Sequence, residues 1–289
     1  MAFRLRRKRS EELVIVALET ELLNVATKAA EEAGRRLVTL FHGAKLSVRR
    51  KHDHPGSIVT NADKESEKII LDWIKRSRMK CTVNSEEAGV LDFGSNEILW
   101  AVDPLDGTFN FAKRIPHFAV SIGVLLCNRP VAGVIYDPIM NEMFTSSRDH
   151  GADLNGKRIH VTDTRSLRNS ALIFEWWNQE PCIPDPLDLE KILYRYTRSL
   201  RSPGSVALNL CAVASGRFDG LITVFRKSPV YEIAAGCLIV QEAGGHLTNS
   251  AGESWENFSG SVVAGGPRIQ RQLLSLINGR RDPVRTSCS

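Results

Sequence analysis

Acidic residues recur in this chain where one kind of segment gives way to another. The densest group is Asp103-Pro104-Leu105-Asp106-Gly107-Thr108-Phe109-Asn110-Phe111, directly after the apolar run 98–102. Pro104 fixes its own φ and favours an extended residue before it, so the run ends in a stiff turn. Asp103, Asp106 and the Leu105 carbonyl can then converge on one point, and hard cations such as Mg²⁺ take oxygen ligands of this kind. Gly107 permits close backbone approach, and Thr108 stands where a helix could begin, so free amides there would suit a phosphate. Alone, this stretch also fits a tight turn with a helix cap. Glu86-Glu87 closing a short apolar segment, Asp63 at a helix start and Glu232 opening a later helix favour the metal. Acids gathered at element ends without matching bases repel one another unless cations neutralise them. A metal site beside an anion site suits phosphoryl transfer, which asks mainly for positioning and charge neutralisation.

These residues need elements to hold them. Residues 11–43 read as one amphipathic helix, with Leu18, Leu22, Val25, Ala29, Ala33, Leu37 and Leu40 at spacings of three and four and Gly43 as a stop. Residues 44–61, which hold Pro55-Gly56, form a loop or short hairpin, and Asp63 opens a second helix with Ile70, Trp73 and Ile74 on its apolar face. Thr82-Val83 and residues 98–102 read as strands ending in carboxylates. Segments 118–126, 131–136 and 142–146, with turns at Arg129-Pro130 and Asp137-Pro138, suggest an antiparallel meander. The second half alternates: strand 171–174, helix 187–198, strand 199–201, helix 205–214, strand 220–225, helix 231–243, strands 246–248 and 261–264, and helix 268–277. The pattern predicts a mixed α/β (α+β) chain of two joined lobes, about 11–160 and 161–280, between a basic tail at 1–10 and a flexible tail at 281–289.

Composition sets the outer bounds. With 289 residues, 43% hydrophobic and 25% charged, the chain can bury a sizeable core. No apolar run approaches the roughly 20 residues that cross a bilayer, and the basic start lacks an apolar leader segment, so a cytoplasmic protein with no membrane contact is expected. The net charge of +5 is carried by Arg4, Arg6, Arg7, Lys8 and Arg9, and the remainder is near neutral. This reads as a solvated tail, with no nucleic-acid partner expected. The six cysteines show no CxxC spacing and read as reduced thiols. His52, His54 and His117 read as loop or surface residues, and Trp176-Trp177 as packing or lobe-interface residues.

With these motifs in view, the chain resembles the inositol monophosphatase family of Mg²⁺-dependent, lithium-sensitive phosphatases. DPLDGTFNF matches that family's D-P-[IL]-D-G-T-x-N-F, and VTNADKESEK its V-T-x-x-D helix start. SEEAG matches its G-E-E-S strand end with Ser85 in place of Gly, and YEIAAGCLIVQEAGG its W-D-x-A-A-G…E-A-G-G segment. Order and spacing agree over roughly residues 15–278. The resemblance implies a layered αβαβα sandwich of the sugar phosphatase type, commonly a homodimer, and two or three Mg²⁺ per site. It implies that Glu86 and Asp103, with the Leu105 carbonyl, bind a first metal, and that Asp103, Asp106 and Glu232 hold a second. Asp63 and Thr108 would activate the attacking water, with Glu86 in the catalytic set. The amides of Gly107 and Thr108 would bind phosphate, and Arg201, Gly204 and Ser205, in the family's R-S-x-G-[ST] segment, would border the substrate.

The match departs at two places. Tyr231 and Glu232 replace the family's Trp and Asp, which reads as a conservative ligand swap or an altered second metal site. Thr223, Val224 and Phe225 occupy the neighbourhood where animal inositol monophosphatases place an acid for an inositol hydroxyl. The pattern looks more like archaeal-type enzymes that accept both fructose 1,6-bisphosphate and inositol monophosphate, and Arg226 and Lys227 could face a second phosphate. The expected reaction is Mg²⁺-dependent hydrolysis of small phosphate monoesters by direct in-line attack of water, without a covalent intermediate. The alternatives are a 3′(2′),5′-bisphosphate nucleotidase and a non-catalytic relative that binds metal or phosphate.

Overall fold

The first element is set by a long run without Gly or Pro. In a computed structural model, which describes residues 2–43, 46–50, 58–176, 186–224, 229–257 and 260–279, that run forms α1 (Ala2–His42). The helix begins well before the expected start at 11, and residues 2–10 continue its backbone rather than forming a separate tail. The reason is composition: Ala, Leu, Arg and Lys are strong helix formers. Leu22, Ala26, Ala29, Ala30, Ala33 and Leu37 form its buried stripe. The strands β1 (Val48–Arg50) and β2 (Ile58–Thr60) pair antiparallel, Arg49 opposite Val59, as the arms of the expected hairpin. Pro55-Gly56 lies outside the described residues, as do His52, His54, Trp177, Phe225, Arg226, Lys227 and the segment 281–289.

The first sheet has eight strands. In chain order these are β3 (Thr82–Ser85), β4 (Gly89–Asp92), β5 (Ile98–Asp106), β6 (Ala119–Leu126), β7 (Arg129–Asp137), β8 (Glu142–Ser147), β9 (Gly151–Leu154) and β10 (Lys157–Arg158). They lie in the order β10-β9-β8-β7-β6-β5-β3-β4. The meander β6 to β8 is the expected one, and β5 joins it antiparallel at β6. The β9–β10 hairpin was not expected, although Asn155-Gly156, both at positive φ, is the usual signal for a tight two-residue turn. Only β3 and β5 run parallel, with Ser85 beside Val102. That pairing ends both strands at the same edge of the sheet, and it is what places Glu86 next to Asp103.

The second sheet has five strands in the order β12-β11-β13-β15-β14. They are β11 (Ala171–Trp176), β12 (Ser199–Arg201), β13 (Gly220–Val224), β14 (His246–Thr248) and β15 (Val262–Gly265). The helices are α2 (Asn61–Arg76) and the short α3 (Thr108–Ala112) before this sheet, then α4 (Pro186–Tyr196), α5 (Val206–Ala214), α6 (Val230–Glu242) and α7 (Pro267–Ile277).

Among the described residues, three large apolar clusters stack these elements, with a small fourth at Ala101, Leu125 and Ala234 where α6 meets the large sheet. Leu22, Leu37, Ile70 and Ile74 of α1 and α2 pack on Trp100, Val102, Ile122 and Val134 of the large sheet. Its other face, at Ile135 and Phe144, packs with α5 and α6 against Ile173, Leu221 and Ala264 of the small sheet. Leu172, Phe174, Ile222 and Val263 on the far side are covered by Leu189 and Leu193 of α4 and Ile269 and Leu273 of α7. The layers therefore run αβαβα, as expected.

Candidate metal centre and active site

The motif Asp103–Asp106 does not follow β5; it is the bulged end of β5. Asp103 pairs with Ser121 and Asp106 with Ala119, so one extra residue is accommodated between them. Pro104 has no N–H to give the ladder, and the Leu105 amide is turned onto Asp103 Oδ1 (3.0 Å). The bulge leaves the Leu105 carbonyl to accept from Thr108 Oγ1 (3.0 Å). Gly107, at φ 85°, is needed here: a Cβ would lie 2.9 Å from the His117 carbonyl oxygen.

Asp63 was expected to open α2. It occupies the third helical position instead, with Thr60 as the cap: Thr60 N–H and Oγ1 donate to Asp63 Oδ2 at 2.7 and 2.6 Å. This reciprocal cap fixes the carboxylate, whose Oδ1 stands 3.0 Å from Thr108 Oγ1. Asp106 is held from the other side. Ser205 Oγ donates to its Oδ2 in a short bond, joined by the Ala207 amide (3.0 Å) at the start of α5. Glu232 arrives on the first turn of α6. The Ala234-Ala235-Gly236 steps after it let that helix lie close on the large sheet, where a Cβ on Gly123 would meet Ala234 at 2.9 Å.

Asp103 is 3% exposed and Asp106 8% exposed. Burial pushes the Asp103 carboxyl well above the ordinary range, helped by repulsion from Glu86, Asp106 and Glu232 and by a hydrogen bond shared with Glu86. Burial likewise raises Asp106 to about 7 and Asp63 to about 6, against hydrogen bonds that lower both. Among the described residues, no Lys, Arg or His forms an ion pair with Asp63, Asp103 or Asp106. Nor, among them, are three Asp, Glu, His or Cys side chains drawn together as a finished ligand set. The donors still fit a hard cation: they are all oxygen, they are buried, and they repel one another.

The remaining candidates divide. Gly204, at φ 86°, gives its amide to Glu175 Oε1 (2.6 Å), and its carbonyl accepts from Asn110 Nδ2 (3.3 Å). Arg201 is exposed and donates to the Leu200 carbonyl (2.8 Å). Ser205 commits its proton to Asp106. Thr223 is buried and accepts from the Val262 amide (2.9 Å), so its hydroxyl serves the sheet. His117 lies in the loop before β6, as expected, where it is half-buried and burial lowers its pKa. Trp176 is exposed at the end of β11 rather than packed. Sequence reasoning missed Ser66, Glu67, Glu175 and Asn209. Glu175 is 4% exposed and also accepts from Ser202 Oγ and Asn209 Nδ2, both at 2.9 Å. The chain does hold one Cys-x₅-Arg spacing, Cys211 to Arg217, which the sequence reading overlooked. Cys211 lies buried inside α5, not in a loop, and burial pushes its thiol well above the ordinary value, which disfavours the thiolate.

Among the described residues, no helix is long and apolar enough to cross a membrane. The model of the inositol monophosphatase family matches residues 18–282. The Nus factor SuhB of Pasteurella multocida is 38% identical over 260 residues, covering 89% of this chain and 95% of that protein. The extragenic suppressor protein suhB of Bartonella henselae superposes with a TM-score of 0.83 at 33% identity, over 89% of this chain and 98% of its own. An inositol monophosphatase from Anabaena gives 0.78 at 33%, over 92% and 98%. A protein described as an inositol monophosphatase–fructose 1,6-bisphosphatase gives 0.75 at 28%, over 88% and 98%. The Nus factor name lends no support to the expectation that a nucleic-acid partner is absent. Fold, motif order and match over nearly the whole length agree: the chain belongs to the inositol monophosphatase family.

Proposed function

We propose that this protein hydrolyses small, soluble phosphate monoesters with Mg²⁺, and that inositol 1-phosphate and fructose 1,6-bisphosphate are both substrates. The observation that carries the reading is the set of mutually repelling carboxylates Glu86, Asp103, Asp106 and Glu232, the two aspartates buried and the two glutamates half-buried, three of them at or beside the β3 and β5 strand ends. With the Leu105 carbonyl they would hold two or three Mg²⁺, which supply charge neutralisation and an acidified water. Thr108 gives its proton to Asp63 or to the Leu105 carbonyl and so offers its oxygen as an acceptor that orients the attacking water. Asp63, whose carboxylate Oδ1 accepts from Thr108 Oγ1, would take up the proton passed along that link. The amides of Gly107 and Thr108 would receive the phosphate. Gly204 and Ser205 border it through the same network that holds Asp106, and Arg226 is assigned to a second phosphate. The active form is taken to be a homodimer of two-lobed chains.

Phosphate release from inositol 1-phosphate, fructose 1,6-bisphosphate and adenosine 3′,5′-bisphosphate under saturating Mg²⁺ tests this. Turnover of the first two supports it. Turnover of the nucleotide alone, or strict selectivity for inositol 1-phosphate, overturns the substrate assignment. The second reading, a family member that works through a macromolecular partner, is favoured by the Nus factor name of relatives such as that from Pasteurella multocida. Absence of turnover on all three would favour it.

A further inference from the structure

Three side chains on one face of α2 reach three different parts of the acidic centre. Asp63, Ser66 and Glu67 stand at the first, fourth and fifth positions of a helical repeat and therefore point the same way. Asp63 meets Thr108 (3.0 Å), and Ser66 Oγ donates to the Pro104 carbonyl (2.6 Å) inside the β5 bulge. Glu67 Oε1 accepts from Ser85 Oγ (2.5 Å), the Ala88 amide (2.9 Å) and the Glu87 amide (3.2 Å). Those donors lie on both flanks of Glu86. Glu67 is only 8% exposed, and among the described residues no cation pairs with it. A carboxylate is expensive to bury, so three charge-assisted bonds from one turn imply that the turn needs it.

We propose that Glu67, with Ser85, is the positioning residue that sets Glu86 against Asp103. The inference rests on the metal reading of the centre, and it deepens it. Ser85 stands where the family pattern has Gly, and its hydroxyl is one of the three donors of the clamp. A free 86–88 turn would leave Glu86 to sample several rotamers, and its contribution to holding Mg²⁺ would fall. Ligand-orienting groups of this kind typically change metal affinity by about 10–100-fold.

The test is calorimetric titration of the full-length protein with Mg²⁺, beside melting curves in EDTA. Glu67→Gln should bind Mg²⁺ about tenfold more weakly than wild type. Glu67→Asp keeps the charge but shortens the reach by roughly 1.5 Å, one C–C bond, and should be weakened as much. Ser85→Ala removes one donor without changing charge and should weaken binding about threefold, a part of the same effect. Wild-type affinity in a folded Glu67→Gln protein overturns the proposal. So does a Glu67→Asp protein that binds as wild type while Glu67→Gln is weakened, because the effect is then charge alone. If the Glu67 variants do not fold, Ser85→Ala carries the test, and unchanged affinity there overturns it. A wild type that takes up no Mg²⁺ overturns this proposal and the metal reading together. A wild type that binds Mg²⁺ but releases no phosphate overturns the phosphatase reading alone.

Discussion

Asp106→Asn should make the metal-free protein more stable while destroying its centre. The rise of Asp106 from 3.8 to about 7 comes first from burial, with Glu86 adding repulsion. It corresponds to roughly 4 kcal/mol against the charged form, at about 1.36 kcal/mol per pKa unit. Between about pH 4 and 7 the folded chain keeps a proton that the unfolded chain has lost. Stability therefore falls as pH rises through that window and stays low above it. Asn is neutral at every pH, and its Oδ1 can still accept from Ser205 Oγ and the Ala207 amide. Those bonds lose charge assistance, so about half of the gain, ~2 kcal/mol, is expected. For a chain of this size that is a rise in Tm of about 4 °C. The assay is thermal unfolding in EDTA at pH 5 and pH 8. The difference should be clear at pH 8 and small at pH 5, where wild type still holds the proton. Added Mg²⁺ should reverse the order, because it binds and stabilises wild type more than the variant. An Asp106→Asn protein no more stable than wild type at pH 8 in EDTA would refute the account of the buried charges.

Phosphate release should vanish in excess EDTA and return with Mg²⁺; full turnover under chelation would remove the metal from the mechanism. Asp103→Asn and Thr108→Ala should each lower kcat at least ~10²-fold, about 2.7 kcal/mol of barrier, with Tm in EDTA unchanged or raised for Asp103→Asn. Near-normal kcat in a folded Asp103→Asn protein would contradict its assignment. Glu232→Gln should raise the Mg²⁺ concentration for half-maximal activity and lower kcat, while Glu232→Asp should be milder. A Glu232→Gln enzyme that titrates as wild type would reduce Glu232 to a helix-start acid.

What the sequence shows of such a site are the groups that meet a ligand, because their chemistry is written in residue type. Asp103, Asp106 and Glu86 were legible because acids at the ends of apolar runs are unusual. The strands were legible too, since a buried sheet needs continuous apolar segments such as 118–126. What stayed hidden depends on pairing across distance. Nothing local says that β3 lies parallel to β5, yet that register brings Glu86 to Asp103. The extra residue in β5 is likewise a relation between two strands, visible only once Ser121 and Ala119 are known to be the partners. Glu175 belongs to the same class: as sequence it is one acid after an apolar run. Only the fold shows it buried, gathering Ser202, Gly204 and Asn209 beside the turn that holds Asp106. Glu67 alone had a local sign, lying one helical turn beyond Asp63 and so on the same face. A second acid one turn after a candidate catalytic acid, followed by residues that leave its helix face in the core, is therefore worth reading as a possible support.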